Sequence, residues 1–221
     1  MVEQLVKKKK KKWFPISATK EFNYAEIGET YVTEPEQALN KTVSISLGEL
    51  TNDIKRQNVI LLFRITDFKD NKLNTESLGY HLITFYVRKF IKSSKDKISD
   101  SFICITKDNV SLRVKPLILL KHKTQKSKLS AIRKIVRNGL INSISRLTFI
   151  ESLDSLISFR LQRDLQKEIH KIYPIAGFLV RYFKKESVKG QMVPKEEAKE
   201  EPVLKEVQQV EKVEESPEKT I

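Results

Sequence analysis

Residues 102–144 read FICITKDNVSLRVKPLILLKHKTQKSKLSAIRKIVRNGLINSI, and the period of their apolar positions changes partway along. Phe102 to Thr106 and Val110 to Leu119 are rich in β-branched and apolar residues. They flank Lys107-Asp108-Asn109, a turn signal, and together predict a hairpin. Pro116 has no N–H to give to a ladder, which places the later part of the second run at a sheet edge or past the end of its strand. After Lys121 the pattern switches: Leu129, Ile132, Val136, Leu140 and Ile144 recur every three or four residues, as on an amphipathic helix. Ser127 or Ser130 is placed to cap its start, the helix runs to about Ser145, and Asn138-Gly139 is a candidate interruption. Strands that give way to helices point to an α+β chain.

Working outward toward the N-terminus, Val43, Ser44, Ile45, Ser46 and Leu47 alternate within Thr42 to Leu47, the period of a half-buried strand. The run VILLFRI, Val59 to Ile65, suits a buried strand, and Asp70-Asn71 a turn. Leu78 to Ile91 fits either period, with a short helix expected from about Thr84. Toward the C-terminus, a second helix is predicted from Ser152 or Ser155 to Ile172, with Leu153, Leu156, Ile157, Leu161, Leu165, Ile169 and Ile172 as its buried stripe and Pro174 as its stop. Ile175 to Phe183 reads as one more strand, with Gly177 marking a bulge or a close approach. These elements divide the chain into a basic N-terminal arm (residues 1–20), a folded domain (21–188) and a disordered acidic tail (189–221). In the tail, Pro194, Pro202 and Pro217 interrupt any helix.

Charge is distributed unevenly along the 221 residues. There are 42 Lys plus Arg against 28 Asp plus Glu, a net +14. The tail from Lys189 carries 6 Lys and 9 Glu, so the remainder holds 36 bases against 19 acids, or +17. The longest stretch without Asp, Glu, Lys or Arg is Ser77 to Val87, far short of the ~20 apolar residues of a membrane-spanning helix. The lysine run near the N-terminus is followed by no apolar stretch of the kind a secretion signal needs. Cys104 is the single cysteine. An internal disulfide is therefore impossible, a reducing compartment fits, and His81, His122 and His170 lack metal-ligand spacing, so no cofactor or metal is expected.

Between Asp108 and Glu151 lie 42 residues with no acid and ten bases: Arg113, Lys115, Lys121, Lys123, Lys126, Lys128, Arg133, Lys134, Arg137 and Arg146. Uncompensated cations repel, so an anionic partner is expected to complete this surface; a merely solvated helix face would carry Glu among the Lys. Arg holds phosphate in a bidentate fork and Lys acts as a point charge. Arg160 and Arg163 on the second helix are weaker candidates, because Asp164 and Glu168 sit among its bases and suit pairs such as Asp164 with Lys167 or Glu168 with Lys171. The run Lys7, Lys8, Lys9, Lys10, Lys11 and Lys12 buries nothing by itself and calls for a polyanion. Trp13 beside it is either a stacking platform for RNA bases or, with Phe14, an aromatic anchor. Glu21 to Glu36, with five Glu and no Lys or Arg, is expected to face away from nucleic acid. No glycine loop, nucleophile elbow or carboxylate pair signals catalysis, and Cys104, inside an apolar run, reads as an inert buried thiol.

Several short matches are shared with a known family: Ile27-Gly28-Glu29-Thr30-Tyr31-Val32, Ser44-Ile45-Ser46-Leu47-Gly48-Glu49-Leu50 with Asn52-Asp53, the run Ile103 to Val114, Ser130-Ala131-Ile132-Arg133-Lys134-Ile135-Val136, and Ile172-Tyr173-Pro174-Ile175 leading to Phe178-Leu179-Val180-Arg181. In this order and spacing the chain resembles, over about residues 7–185, the small-subunit ribosomal protein family of archaea and eukaryotes called S-three-A-e or S-one-e, and its short length resembles the archaeal members. The resemblance implies a single β-barrel-like domain of mostly antiparallel strands with amphipathic C-terminal helices against it. It implies a structural, non-enzymatic place in the platform of the small subunit, near the messenger exit and the 3′ end of the rRNA, in the cytoplasm. Partners would be rRNA and neighbouring platform proteins including S-eleven, with no membrane and no homo-oligomer. The charge pattern alone would also suit a free-standing RNA-binding protein or RNA chaperone, and an enzyme would need a concave site with convergent titratable groups.

Overall fold

The β-branched and apolar runs pair into one nine-stranded sheet, and the 3.6-period segments cover part of it. The computed structural model describes residues 10–91 and 95–186. In chain order the strands are β1 (Lys12–Ser17), β2 (Glu26–Val32), β3 (Thr42–Ser46), β4 (Val59–Lys69), β5 (Lys72–Leu82), β6 (Lys97–Ser99), β7 (Phe102–Ile105), β8 (Ser111–Leu120) and β9 (Ile175–Lys185). The α-helices are α1 (Leu47–Thr51), α2 (Thr84–Phe90), α3 (Lys126–Ser145), α4 (Phe149–Ile157) and α5 (Arg160–His170). The acidic tail expected over 189–221, and Lys7, Lys8 and Lys9 of the arm, lie outside the described residues. Within the stretch expected to be an arm, Lys12–Ser17 is already a strand.

The sheet runs β2-β1-β5-β9-β8-β6, with β4 along β5, β3 outside β4, and β7 beside β6 on the outer side of β8. All pairs are antiparallel except β1 with β5. It does not close into a barrel, which corrects the barrel-like expectation. Closure requires the terminal strands to pair, and among the described residues neither β3, beyond β4 on one edge of β5, nor β2, beyond β1 on the other, finds a partner in β6 or β7. The Asp70-Asn71 turn is as expected, with both residues at positive φ, the conformation that matches strand twist in a two-residue hairpin.

Three further expectations change in detail. Pro116 is neither at an edge nor past a strand end: it lies inside β8, which pairs with β9 on one side and with β7 and β6 in succession on the other. It is tolerated because its own edge faces the gap where the outer partner of β8 changes from β7, which ends opposite Val114, to β6, which begins opposite Leu117; the Pro116 carbonyl accepts there from the Asp100 N–H, and the missing N–H costs no ladder bond. α3 runs unbroken through Asn138-Gly139; Gly139 serves close packing, since a Cβ there would stand 2.4 Å from Leu165 Cδ2 of α5. The predicted second helix is two. Its start is capped by Thr148 in a capping box with Glu151 rather than by Ser152 or Ser155, and the chain breaks at Phe159, which adopts φ +59°. The Ser158 hydroxyl donates to the Asp154 carbonyl, 2.8 Å away, and the buried Gln162 amide donates to the Leu156 carbonyl at 3.0 Å, so the break is bonded on both sides.

The main core lies between the sheet and α3–α5. Ile132, Val136, Leu140 and Ile144, four apart, are the buried stripe of α3. Phe183 of β9 is fully buried, stacked on Tyr80 of β5 and on Phe149 of α4. A smaller cluster of Phe14, Ile16, Val32, Ala38, Ile65 and Leu73 fastens β1 to the sheet, helped by the buried Thr75 hydroxyl donating to the Ser17 carbonyl at 2.8 Å. As expected, Gly177 marks a close approach, there to the Phe90 ring.

Gly79 sits at φ +138°, and a Cβ on it would fall 2.1 Å from the Phe183 carbonyl oxygen. Backbone cannot yield as a side chain does, so Gly79→Ala should cost about 3 kcal/mol or more in urea unfolding, and Gly139→Ala, facing only a movable Leu tip, about 1 kcal/mol. Equal costs would contradict this assignment. Burial pushes the Cys104 thiol up to about 12, against a weaker downward pull from Arg137. Its reactive thiolate is therefore scarce at pH 8, and iodoacetamide should label the folded chain at least ~10³-fold more slowly than the urea-unfolded one, the opening penalty of a ~5 kcal/mol fold. Similar rates in both states would overturn the inert reading.

Candidate nucleic-acid interface

α3 is polarised by its sequence: the stripe at every fourth residue is in the core, and Lys126, Lys128, Arg133, Lys134 and Arg137 are exposed. Arg133, Lys134 and Arg137 come together around an open depression of about 320 Å³ that also involves Asp100, Phe102 and Ser130. The Arg137 guanidinium lies 5.7 Å from the Phe102 ring centroid, and Arg133 Nε is 3.4 Å from a carboxylate oxygen of Asp100. An acid from outside the acid-free window thus folds back onto the helix. It meets one of the three cations, in an exposed geometry that contributes little to stability.

The loop before α3 carries exposed Lys121 and Lys123. It is held by the Tyr173 hydroxyl, placed to donate to the His122 or Lys123 carbonyl (3.3 and 3.4 Å), and by the Thr124 N–H donating to Asp96 at 2.9 Å. Lys128 reaches over the Tyr173 ring. Arg113 is differently placed: its Nε and Nη2 donate to the Glu186 carboxylate at 2.7–3.1 Å, and that hydrogen bonding raises its pKa. Arg160 and Arg163 are exposed on α5 but do not line the α3 depression. On the same helix Lys167 Nζ is 3.5 Å from Asp164, the pairing expected there.

At the other end of the sheet, Phe14 is buried and is the anchor, while Trp13 is 61% exposed. Trp13 packs against Tyr31 of β2, itself half exposed, with the ring centroids 4.8 Å apart and the planes tilted by 35°, and Lys11 Nζ stands 5.6 Å from the Tyr31 ring. Lys10, Lys11 and Lys12 are exposed. The acidic stretch does not simply face away: its strand β2 is the direct partner of β1. Register separates the signs, with Lys12 opposite Val32 and Ser17 opposite Glu26.

A second concave region was not legible in the sequence. On the open face of β8, β9 and β5, beside α2, a groove of about 510 Å³ is lined by Lys115, Arg181, Lys184, His81, Tyr182 and Thr84 together with apolar side chains, and by no carboxylate. Lys115 Nζ lies 4.6 Å from the Tyr182 ring. Burial, and then the nearby Lys184 charge, lower the His81 pKa, so this imidazole is neutral at pH 7. Lys115 was a candidate from sequence, whereas Arg181, Lys184, His81 and Tyr182 were not, because only strand register brings them beside it.

Among the described residues no group of His, Cys, Asp and Glu is arranged to hold a metal, and no helix is long and apolar enough to cross a membrane. Comparison with known proteins bears on the same residues. The chain is 33% identical over 175 residues to the small ribosomal subunit protein eS1 of Nanoarchaeum equitans, a match covering 79% of this chain and 88% of that one. It is 35% identical over 167 residues to the eS1 protein of Sulfurisphaera tokodaii (76% and 86% covered). With the eS1 protein of Halorubrum lacusprofundi the identity is 29% over 199 residues (89% and 93% covered). The Ribosomal S3Ae family model matches residues 4–188, spanning every described strand and helix. The chain therefore belongs to the Ribosomal S3Ae family of ribosomal proteins, structural components of the small subunit rather than enzymes.

Proposed function

We propose that this ribosomal protein holds rRNA of the small-subunit platform by neutralising phosphates, without reading base sequence. The observation that carries this reading is α3, whose buried stripe leaves Arg133, Lys134 and Arg137 converging on one exposed depression with a single facing carboxylate. Lys121, Lys123, Lys126 and Lys128 extend the same cationic run, Lys115 contributes from the separate groove beside Tyr182, and Arg113, engaged by Glu186, contributes least. Lys7–Lys12 form a second phosphate-binding element, and the Trp13–Tyr31 pair beside them offers a platform on which an unpaired base stacks. Arg160 and Arg163 are peripheral contacts. The RNA-binding domain extends over residues 21–188, with β1 supplied by the segment before it, and the acidic residues 189–221 take no part in RNA binding. Neighbouring platform proteins including S-eleven are its protein partners, the ribosome in the cytoplasm its place, and it enters the particle as one copy.

A free-standing RNA chaperone would share the charge pattern but would not remain with small subunits through a sucrose gradient at moderately high salt. The full chain should co-sediment with them. Replacing Arg133, Lys134 and Arg137 together by Gln should reduce incorporation about tenfold or more in competition with the wild type while circular dichroism is unchanged, since none of the three is in the core. Equal incorporation would remove α3 from the interface, and loss of the wild type from the particle would favour the free-standing reading.

A further inference from the structure

We propose that the groove on the open face of β8, β9 and β5 is a further RNA site that seats backbone phosphate of a single-stranded segment on Lys115, Arg181 and Lys184. The proposal rests on the RNA-binding reading above and adds a surface on another element. Its basis is the β-bulge opposite Pro116. Lys115 pairs with Tyr182 and Pro116 with Val180, so Arg181 is the extra residue on β9. In a regular strand Arg181 and Tyr182 would point to opposite faces; here both line the groove. A bulge re-aims a side chain at the expense of a ladder bond.

Charge on the groove is unspent. Its three permanent cations meet no carboxylate among the lining residues. The nearby acids are committed elsewhere, Glu186 to Arg113 and Glu76 to Lys185. Arg181 Nε is buried and donates to nothing, leaving a charged donor unused beside a cavity. The volume suits a ligand-sized group, ~300–1,000 Å³. Two planar side chains, Tyr182 and neutral His81, lie among the cations, the combination by which proteins hold unpaired nucleotides, with phosphate on the bases and a nucleobase on a ring. A duplex presents its phosphates but not its base faces and would leave both rings idle.

The test uses the full chain and hexauridylate as probe, with the three histidine ring signals followed by NMR. His81 faces Lys115, Arg181 and Lys184 across the groove, so a seated phosphate should move its signals and raise its pKa back toward 6.5. Arg181→Gln with Lys184→Gln should weaken hexauridylate binding about tenfold and flatten its log–log salt slope by about 1.4, at ~0.7 per phosphate contact for single strands. Lys184→Arg, which keeps the charge, should restore much of the affinity on the Arg181 background. The α3 triple Gln variant should leave the His81 response in place, so failure at this groove and failure of the α3 interface are read separately. Unmoved His81 signals at a saturating probe concentration, or wild-type affinity in the double variant, would overturn the proposal, as would equal preference for a duplex of the same length.

Discussion

The insertion of β9 between β5 and β8 is the pairing on which the rest of the fold depends. β5 belongs to the N-terminal half of the sheet and β8 to the C-terminal half, and on the hydrogen-bonded path between them there is only β9. Tyr80 of β5 donates its hydroxyl to the Val180 carbonyl at 3.0 Å, and Gly79 lets the Phe183 carbonyl approach where any side chain would collide. The packing on either side follows from that strand. Phe183 gives α4 a ring to stack on, and α5 lies against β9 on the helix-covered face. Because β9 comes last among the described elements, the two halves cannot be joined until nearly the whole domain is present, a non-local closure that carries an entropic cost in folding.

One sheet therefore serves two purposes. Its covered face supplies the apolar area that stabilises the domain, and the elements around it leave cations outside: on α3, in the loop before it, on β1, and in the groove opposite the helices. Self-repulsion among such groups destabilises an isolated chain. Two of the ion pairs that offset it, Arg133 with Asp100 and Lys167 with Asp164, are exposed and weak. Membership of a ribosomal family gives this arrangement a physical sense, since a polyanion supplies the missing countercharge.

How much of this was legible in the sequence depended on whether a signal was local. The β7–β8 hairpin, the length and buried stripe of α3, the short α2 after Leu82 and the final strand were all readable, because periodicity and turn chemistry are written within a dozen residues. Openness of the sheet was not, since closure depends on which distant edges meet. The break at Phe159 lies hidden in an unbroken apolar stripe, because Ser158 and Gln162 brace it through bonds to the Asp154 and Leu156 carbonyls of α4 that residue spacing does not reveal. Pro116 in isolation argues for an edge, whereas it lies in mid-strand at the one place where the outer partner of β8 changes from β7 to β6. The cationic helix was visible as an acid-free window, yet Asp100 and Glu186 entered that surface from outside it. His81, Tyr182 and Lys184 are more than a hundred residues apart at the extremes and share a groove only through β-pairing.

Neutralisation of RNA phosphates by the cations on this fold is tested most directly by the affinity of the full chain for small-subunit rRNA as a function of monovalent salt. With about ten phosphate contacts at ~0.7–0.9 each, log Kobs should fall against log salt with a slope of about −7 to −9. Tight binding with a slope no steeper than about −2 would contradict it, because the RNA would then be held by something other than the charge that distinguishes this sequence.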